Sequence, residues 1–336
     1  MVGSRGAKMK IGLETESCHL LFQHGRMNIF DFIEFTARFG LDGVHINIIP
    51  DYNLHPRWGA LQGASTEYLS RVKAAIDQHD LYCEIATRGS TLKELAPALR
   101  IARALGVELV RSYLWFPHGR FDVDFMESQI SEVRRVVPFL KAHQIRLAFE
   151  NHEFETSAEL IKFISLVGQP EWVGLLCDTG NSMMAWEEPL SAIRAMAPHA
   201  FGVHFKDHSV IRDGDEPVVC GMPLGRGNID IDKAFRIVIE DSAVAHINLG
   251  MCYPYCATFK REPGTGGSSD FAGAFAITHP PFPPNLVRPM GYYYPHDTSE
   301  EALLTLLECQ QQDLERSIAV LTRLRDKYCS PQARSG

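Results

Sequence analysis

Three segments of the chain share one pattern, in which a short apolar run ends directly in polar residues: Ile145–His152 (IRLAFENH), Val173–Asn181 (VGLLCDTGN) and Phe201–His208 (FGVHFKDH). Each run has the length of a buried β-strand, and a helix-like segment separates each from the next. Parallel strands joined by helices place their carboxyl ends at one edge of a sheet. We therefore expect the polar residues that end these runs to lie close together.

The same alternation extends in both directions along the chain. Strand-like runs are predicted at 10–13, 43–49, 81–86, 107–113, 145–149, 173–177, 201–205 and 245–249. Helix-like segments are predicted at 29–39, 66–78, 91–105, 124–143, 157–166, 189–196, 231–239 and 299–327. Eight strand–helix units predict an α/β fold of the (β/α)8 TIM barrel type, with a doubly wound sheet as the alternative. The barrel is favoured because polar residues recur at strand ends, the rim where barrel enzymes build their sites.

Length and composition agree with a single barrel domain over residues 1–336, of which 45% are hydrophobic and 22% charged. We predict a barrel core over about 10–250, a long proline- and aromatic-rich insertion after strand eight over about 251–298, and a C-terminal helix over about 299–327. The aromatic residues of the insertion are interpreted mainly as packing, with an apolar vestibule for an aromatic group as the alternative. They are Tyr253, Tyr255, Phe259, Phe271, Phe275, Phe282 and Tyr292–Tyr294.

Charge and cysteine usage narrow the function classes. The net charge of -8 disfavours nucleic acid as a partner. No apolar run approaches the ~20 residues of a membrane span, and the basic first ten residues precede no apolar segment, so we expect a cytoplasmic protein without membrane contact. The 8 cysteines are scattered, several within apolar runs, which is typical of reduced core thiols.

The strand ends carry the residue types of a metal site. Glu, Asp and His residues end the predicted strands five, six and seven, and we expect their side chains to converge. Such a mixed oxygen and nitrogen donor set suits Mn²⁺, Mg²⁺, Co²⁺ or Zn²⁺. A single rim residue would be interpreted as part of a salt bridge, but three on successive strands favour a functional site.

The segments LAFENHEFETSAELIKFI, VGLLCDTGN, FGVHFKDHS and MPLGRGNIDI, in this order, resemble the xylose isomerase-like barrels, which include sugar isomerases, ketose 3-epimerases, inosose dehydratases and endonuclease IV-type enzymes. The resemblance covers about residues 10–250. It implies that Glu150, Asp178 and His204 are metal ligands, with Mn²⁺ the expected ion. A phosphodiesterase of the endonuclease IV type would need several metal ions and a basic groove, which the charge of -8 disfavours.

The resemblance also implies a fourth ligand, a glutamate that ends strand eight, but the corresponding residue here is Gly250. Either the ion has three protein ligands with water, or another donor replaces the glutamate; Glu262 and His296 are candidates. A metal-free, non-catalytic barrel is the alternative of another functional class.

Three further segments look closest to the larger subunit of C-glycoside deglycosidases: residues 11–35 (IGLETESCHLLFQHGRMNIFDFIEF), 46–59 (INIIPDYNLHPRWG) and 252–262 (CYPYCATFKRE). This resemblance implies cleavage of the carbon–carbon bond between sugar and aglycone in a 3-oxo-glucoside, and a smaller second subunit in a hetero-oligomer. A ketose 3-epimerase or a sugar isomerase is the alternative, because all three reactions begin with loss of a proton beside a carbonyl.

Proton removal beside a carbonyl requires a divalent ion, a base and an acid near the substrate. We predict that His152 is the base or acid, since it lies two residues beyond Glu150 and so points the same way in a strand, or else that it is a rim histidine bonded to a neighbouring carboxylate. Lys206 is predicted to place an ammonium over the developing oxyanion, or else to form a structural salt bridge. Asp207, on the opposite face, is predicted to orient neighbouring groups. The predicted substrate contacts are Asn181, His45 and Arg226.

Overall fold

The computed structural model describes residues 9–49, 61–253, 255–280 and 299–329. Its strands are β1 (Lys10–Glu14), β2 (Gly43–Asn47), β3 (Tyr82–Ala86), β4 (Leu109–Ser112), β5 (Arg146–Glu150), β6 (Val173–Asp178), β7 (Ala200–Phe205), β8 (Asp207–Asp213), β9 (Glu216–Met222), β10 (His246–Leu249) and β11 (Cys256–Thr258). Eight of them close a parallel barrel in the order β1-β10-β7-β6-β5-β4-β3-β2. The predicted TIM barrel is confirmed, and the doubly wound alternative is excluded.

Helices cover the outside of the barrel. They are α1 (His19–Gln23), α2 (Ile29–Arg38), α3 (Thr66–Gln78), α4 (Leu92–Leu105), α5 (Val123–His143), α6 (Ser157–Val167), α7 (Pro189–Met196), α8 (Ile231–Asp241) and α9 (Glu300–Cys329). None of these helices is long and apolar enough to cross a membrane. The large core lies between strands and helices, and β2 and β6 are buried along their whole length because both of their faces are covered.

Local sequence signals place several helix ends. Asn28 and Asp31 form a reciprocal capping box at the start of α2, as do Thr156 and Glu159 at the start of α6. Gly168 ends α6 in the left-handed conformation, at φ 71°, which glycine adopts without steric penalty. These signals set the length of the connections between strands and helices and so keep successive strand ends on one rim.

The main departure from the predicted elements is a small second sheet on the rim. Directly after β7, strands β8 and β9 form an antiparallel hairpin, and β11 pairs with β9, giving the order β11-β9-β8. Asp213 pairs with Glu216, so the turn of the hairpin consists of Gly214 and Asp215, with Gly214 at φ 61°. Glycine as the first of two turn residues is a recognised hairpin signal, but no strand was predicted there.

The described part of the insertion packs against this rim. The Trp186 ring stacks on Phe259 at 4.2 Å between centroids and on Phe275 at 5.3 Å, while Tyr253 is fully buried. The packing interpretation is therefore confirmed for these aromatic residues. Phe282 and Tyr292–Tyr294 lie outside the described residues. All 8 cysteines are free thiols, as predicted.

Candidate active site

Three side chains from neighbouring strands meet at the carboxyl end of the barrel. Glu150 ends β5, Asp178 ends β6, and His204 lies beside Asp178 in the parallel register of β6 and β7. Each of the three residues has a potential ligand atom within 4.8 Å of a ligand atom of both others. All three residues are fully buried. The expected convergence of these strand ends is therefore present in the fold.

Backbone contacts hold the Asp178 carboxylate in one orientation. Its Oδ1 accepts hydrogen bonds from the backbone N–H groups of Gly180 and Asn181, both at 2.9 Å. The Asn151 side chain bonds the Asp178 backbone on both sides, accepting from N at 2.8 Å and donating to O at 3.0 Å. Its other oxygen, Oδ2, remains directed at the ligand cluster, which consists of Glu150, Asp178 and His204, and lies 2.8 Å from Lys206 Nζ.

Two cations balance the carboxylates. Arg111 on β4 donates from Nη2 to Glu150 Oε2. Burial alone raises the pKa of Glu150, but the charges of Arg111 and Lys206 outweigh it and hold that pKa below its usual value. Burial lowers the pKa of Lys206, and the Asp178 carboxylate more than compensates, so the pKa of Lys206 lies well above its usual value. Both carboxylates thus face permanent positive charges.

The His204 ring links the cluster to a buried polar layer beneath it. Its Nδ1 lies 2.7 Å from Glu150 Oε1 and its Nε2 lies 2.9 Å from His45 Nδ1. His45 Nδ1 is in turn 3.5 Å from Glu84 Oε2, which accepts a hydrogen bond from Asn248 at 2.6 Å. Burial, with the nearby Arg111, lowers the pKa of His204 well below its ordinary value, so the imidazole is neutral and its nitrogen can act as a ligand.

The donor chemistry of the cluster fits a divalent ion. Two carboxylates and one neutral imidazole are the groups that bind Mn²⁺, Zn²⁺, Co²⁺ or Mg²⁺ in proteins. His45 contacts Nε2 of His204, the ring nitrogen that does not face the carboxylates. A partner at this second nitrogen orients the ring of a metal-ligating histidine. Glu150, Asp178 and His204 would hold the ion, which remains a prediction.

A cavity of ≈ 420 Å³ lies next to these three residues, which do not line it themselves; Glu150 and Asp178 pair with two residues that do, Arg111 and Lys206. Its walls divide into two kinds of surface. Polar and charged residues line one part: Glu14, Glu16, Asn47, Arg88, Arg111, His118, His152, Glu153, Asn181, Lys206, His208 and Lys260. Aromatic residues line another part: Tyr113, Trp115, Phe116, Phe154 and Tyr255. The volume lies in the range of cavities that bind drug-sized ligands.

The structure brings three predicted site residues to this cavity. His152 stacks on Tyr113 with 3.8 Å between ring centroids and an angle of 9° between their planes. Burial lowers the pKa of His152, so its imidazole is neutral and able to accept a proton. Lys206 and Asn181 line the cavity beside it.

Other candidates lie elsewhere. His45 is fully buried behind His204 and does not line the cavity, so the structure places it as a support for that ring and not as a substrate contact. The Arg226 side chain is 54% exposed and lies 3.9 Å from Asp313 of α9, outside the cavity lining. Glu262, a candidate replacement ligand, is exposed and outside the ligand cluster, and His296 lies outside the described residues.

Asp207 has the orienting role that its position predicted. Its side-chain oxygens accept hydrogen bonds from the backbone N–H groups of Gly225, Gly227 and Ile229, at 2.8, 2.9 and 3.3 Å. This carboxyl group therefore holds the rim turn that precedes α8. Burial raises its pKa to about 7.

Sequence reasoning assigned no role to Arg111, Tyr113 or Trp115. These residues alternate along β4 and the segment that follows it, which is the signal that could have found them. The Arg111 guanidinium lies 4.7 Å from the Tyr113 ring, and the Arg88 guanidinium lies 4.2 Å from the Trp115 ring. Together they form a continuous cationic and aromatic wall next to His152.

Comparisons with known proteins agree with this architecture. A family model described as "Xylose isomerase-like TIM barrel" matches residues 33–271. A 3-oxo-isoapionate decarboxylase from Pectobacterium atrosepticum is 24% identical over 183 residues, which are 54% of this chain and 65% of the relative, so the alignment spans less than two thirds of that protein.

Solved structures share the fold at low identity. The IOLI protein with a bound zinc atom has a TM-score of 0.61 at 15% identity, covering 95% of this chain and 99% of that chain. A D-psicose 3-epimerase crystallised in the presence of D-fructose has a TM-score of 0.57 at 14% identity, covering 94% and 99%. The fold, the order of its strands and the extent of the family match lead to one conclusion: the chain belongs to the xylose isomerase-like TIM barrels.

Proposed function

We propose that the protein is a divalent-metal-dependent enzyme that removes a proton beside the carbonyl of a sugar derivative, and that its substrate is a 3-oxo-C-glycoside. The observation that carries this proposal is the convergence of Glu150, Asp178 and His204 next to a cavity with an aromatic wall, which Arg111 and Lys206 line while pairing with Glu150 and Asp178. Mn²⁺ is the ion proposed. Bound there, it would polarise the substrate carbonyl and stabilise the negative charge that develops on its oxygen.

His152 is proposed as the base. Its ring lies in the cavity and is held flat against Tyr113, which fixes the direction of its nitrogens. In the proposed reaction it takes the proton from the carbon between the carbonyl carbon and the anomeric carbon. The bond from the anomeric carbon to the aglycone then breaks, and its electron pair leaves with the aglycone carbon, which takes up a proton.

Lys206 is proposed to stabilise the oxyanion formed during proton removal. Asp178, 2.8 Å from its Nζ, holds the ammonium at the base of the cavity, so the charge is already in position before the reaction. Asn181, on the turn after β6, lies where its side chain can hydrogen-bond a sugar hydroxyl. These roles use groups that already line the cavity.

The aromatic wall favours a glycoside with an aromatic aglycone over a free ketose. The Trp115 side chain is 51% exposed, so its ring offers a surface on which a planar group can stack, whereas Tyr113 is buried beside it and stacks on His152. A ketose 3-epimerase is the second candidate, supported by the D-psicose 3-epimerase among the similar folds. It needs the same proton removal but no aromatic surface.

The experiment measures metal content and turnover together. Protein purified without chelator is analysed for bound metals, then assayed with Mn²⁺ on aryl 3-oxo-C-glucosides and on ketohexoses, with and without a candidate small subunit. We expect release of the aglycone, dependence on Mn²⁺ and loss of both metal and turnover in Asp178→Asn. A metal content near zero that added Mn²⁺ does not change would refute the metal-dependent function and favour the non-catalytic barrel. Turnover of ketohexoses alone would favour the epimerase.

A further inference from the structure

The end of strand β10 has no carboxylate, but the end of its neighbour does. Strands β1 and β10 pair in parallel with Leu13 opposite Leu249. The next residues on the two strands are Glu14 and Gly250, which therefore leave the barrel side by side at the same height. A carboxylate on β1 can thus reach the region that a side chain on β10 would reach.

The Glu14 carboxylate occupies the space beside Gly250. A Cβ atom added to Gly250 would lie 2.7 Å from Glu14 Oε2 and 2.9 Å from Lys206 Cε. Both distances are shorter than a van der Waals contact, so a side chain at this position would displace these two groups. The glycine is therefore what allows Glu14 to turn towards the cluster.

The same Glu14 oxygen points at the cluster without a hydrogen-bond partner. Oε2 lies 3.6 Å from His204 Nδ1, the nitrogen that also faces Glu150 and Asp178. Glu14 is only 2% exposed, and its Oε2 makes no hydrogen bond within the part of the chain that the structure describes. A buried carboxylate oxygen without a donor is costly unless another positive group satisfies it.

We propose that Glu14 supplies the fourth protein ligand of the divalent ion, in place of a glutamate at the end of β10, the eighth strand of the barrel. The ligand has moved to the adjacent strand, and Gly250 leaves room for it. This inference rests on the proposed metal-dependent function and extends it to a residue that no motif indicated. Glu14 Oε2 lies 3.6 Å from His204 Nδ1, but Glu14 is not in the group whose ligand atoms all lie within 4.8 Å of one another, so its carboxylate is the outermost of the four donors.

The charges of the site agree with this assignment. Glu150 and Asp178 can carry two negative charges, and Arg111 and Lys206 carry two positive ones; burial raises the pKa of Glu14 to about 8, so Glu14 supplies a third negative charge when a bound ion replaces its proton. With only Glu150 and Asp178, these cations already neutralise the carboxylates, and a divalent ion would add two uncompensated charges in a buried site. Glu14 halves that excess, which lowers the electrostatic cost of binding the ion.

The test measures metal binding and not activity. The dissociation constant for Mn²⁺ is measured by calorimetry for the wild-type protein, Glu14→Gln, Asp178→Asn and the control Glu155→Gln. Glu155 is a buried carboxyl group, 1% exposed, that lies outside the ligand cluster, so the control makes the same chemical change without removing a proposed ligand. The absorption spectrum of the Co²⁺-loaded protein reports the ligand set independently.

We expect Glu14→Gln to weaken Mn²⁺ binding by at least about 10-fold and to change the Co²⁺ spectrum. Loss of a residue that only hydrogen-bonds a metal ligand already weakens binding by about 10-fold, so loss of a ligand should weaken it at least as much. Glu155→Gln should change neither. A variant that exchanges the two residues, Glu14→Gly with Gly250→Glu, should bind Mn²⁺ more tightly than Glu14→Gly alone, because it returns the carboxylate to the cluster from the adjacent strand.

The outcomes separate this inference from the proposed function. A Glu14→Gln protein with an unchanged dissociation constant and an unchanged Co²⁺ spectrum overturns the role of Glu14, while loss of binding in Asp178→Asn would still support the metal site. A wild-type protein that binds neither Mn²⁺ nor Co²⁺ overturns both. Thermal unfolding of each variant without metal shows whether a loss of binding reflects a loss of the fold.

Discussion

Replacement of Arg111 by methionine should destabilise the metal-free protein by about 3–5 kcal/mol. Arg111 is 4% exposed and Glu150 is fully buried, so removing the guanidinium leaves a carboxylate without its counter-ion in a medium of low polarity. The variant also loses the contact of the guanidinium with the Tyr113 ring at 4.7 Å, worth about 1 kcal/mol. Methionine retains much of the apolar stem, so packing changes little.

The assay is urea unfolding in the presence of a chelator, followed by tryptophan fluorescence and circular dichroism. The matched control is Lys162→Met, which removes a cation 3.2 Å from Glu127 where both side chains are more than half exposed. Surface pairs contribute about 0–1 kcal/mol, so the control should be almost as stable as the wild-type protein. The contrast isolates the effect of burial on an ion pair.

A double variant tests the cause. Arg111→Met combined with Glu150→Gln removes the carboxylate together with its counter-ion and should recover most of the lost stability. Saturating Mn²⁺ should stabilise Arg111→Met more than it stabilises the wild-type protein, because the ion then replaces the missing counter-charge. A loss below about 1 kcal/mol in Arg111→Met, as for a surface pair, would refute the reasoning.

Three other predictions concern single side chains. Burial raises the pKa of Glu155 from 4.5 to about 8. The stability that the protonated Glu155 side chain contributes to the folded protein is therefore complete below about pH 4.5 and is lost as the pH rises through 8. Relative to Glu155→Gln, the wild-type free energy of unfolding should fall by up to about 1.4 kcal/mol per pH unit across this window, and parallel pH profiles would contradict this. His152→Gln should keep its affinity for Mn²⁺ but lower turnover by about 10²- to 10⁴-fold, and full turnover would remove His152 from the mechanism. Trp115→Ala should leave the free energy of unfolding within about 0.5 kcal/mol of wild type, since this ring is 51% exposed. It should raise the KM for an aryl glycoside several-fold without changing kcat, as expected for the loss of about 1 kcal/mol of stacking; an unchanged KM would exclude stacking on this ring.

Much of the fold could be predicted from local patterns. Each strand of the barrel is an apolar run, and helix ends such as Asn28 and Gly168 carry capping signals that act within a few residues. The hairpin formed by β8 and β9 was missed because no strand was assigned directly after β7, where the polar strand end continues into a second sheet.

The site could be predicted only in part. Glu150, Asp178 and His204 were identifiable because each belongs to a motif at the end of β5, β6 or β7, and these strands are consecutive neighbours in the parallel sheet. His45 shows the limit of this reasoning. It was predicted to contact substrate, but its position along β2 places it beneath His204, 159 residues away in sequence.

The barrel, the rim at the strand ends and three of the four proposed ligands could be predicted from the amino-acid sequence, because strand and helix periodicity and strand-end motifs are local properties of the chain. The position of Glu14 beside Gly250 and the pairing of Arg111 with Glu150 became visible only in the folded arrangement. Those contacts depend on which strands become neighbours and in what register when the barrel closes. The first and last strands of the barrel, β1 and β10, meet only when the barrel closes. No local pattern could therefore show that Gly250 after β10 is compensated by the carboxylate of Glu14 on β1.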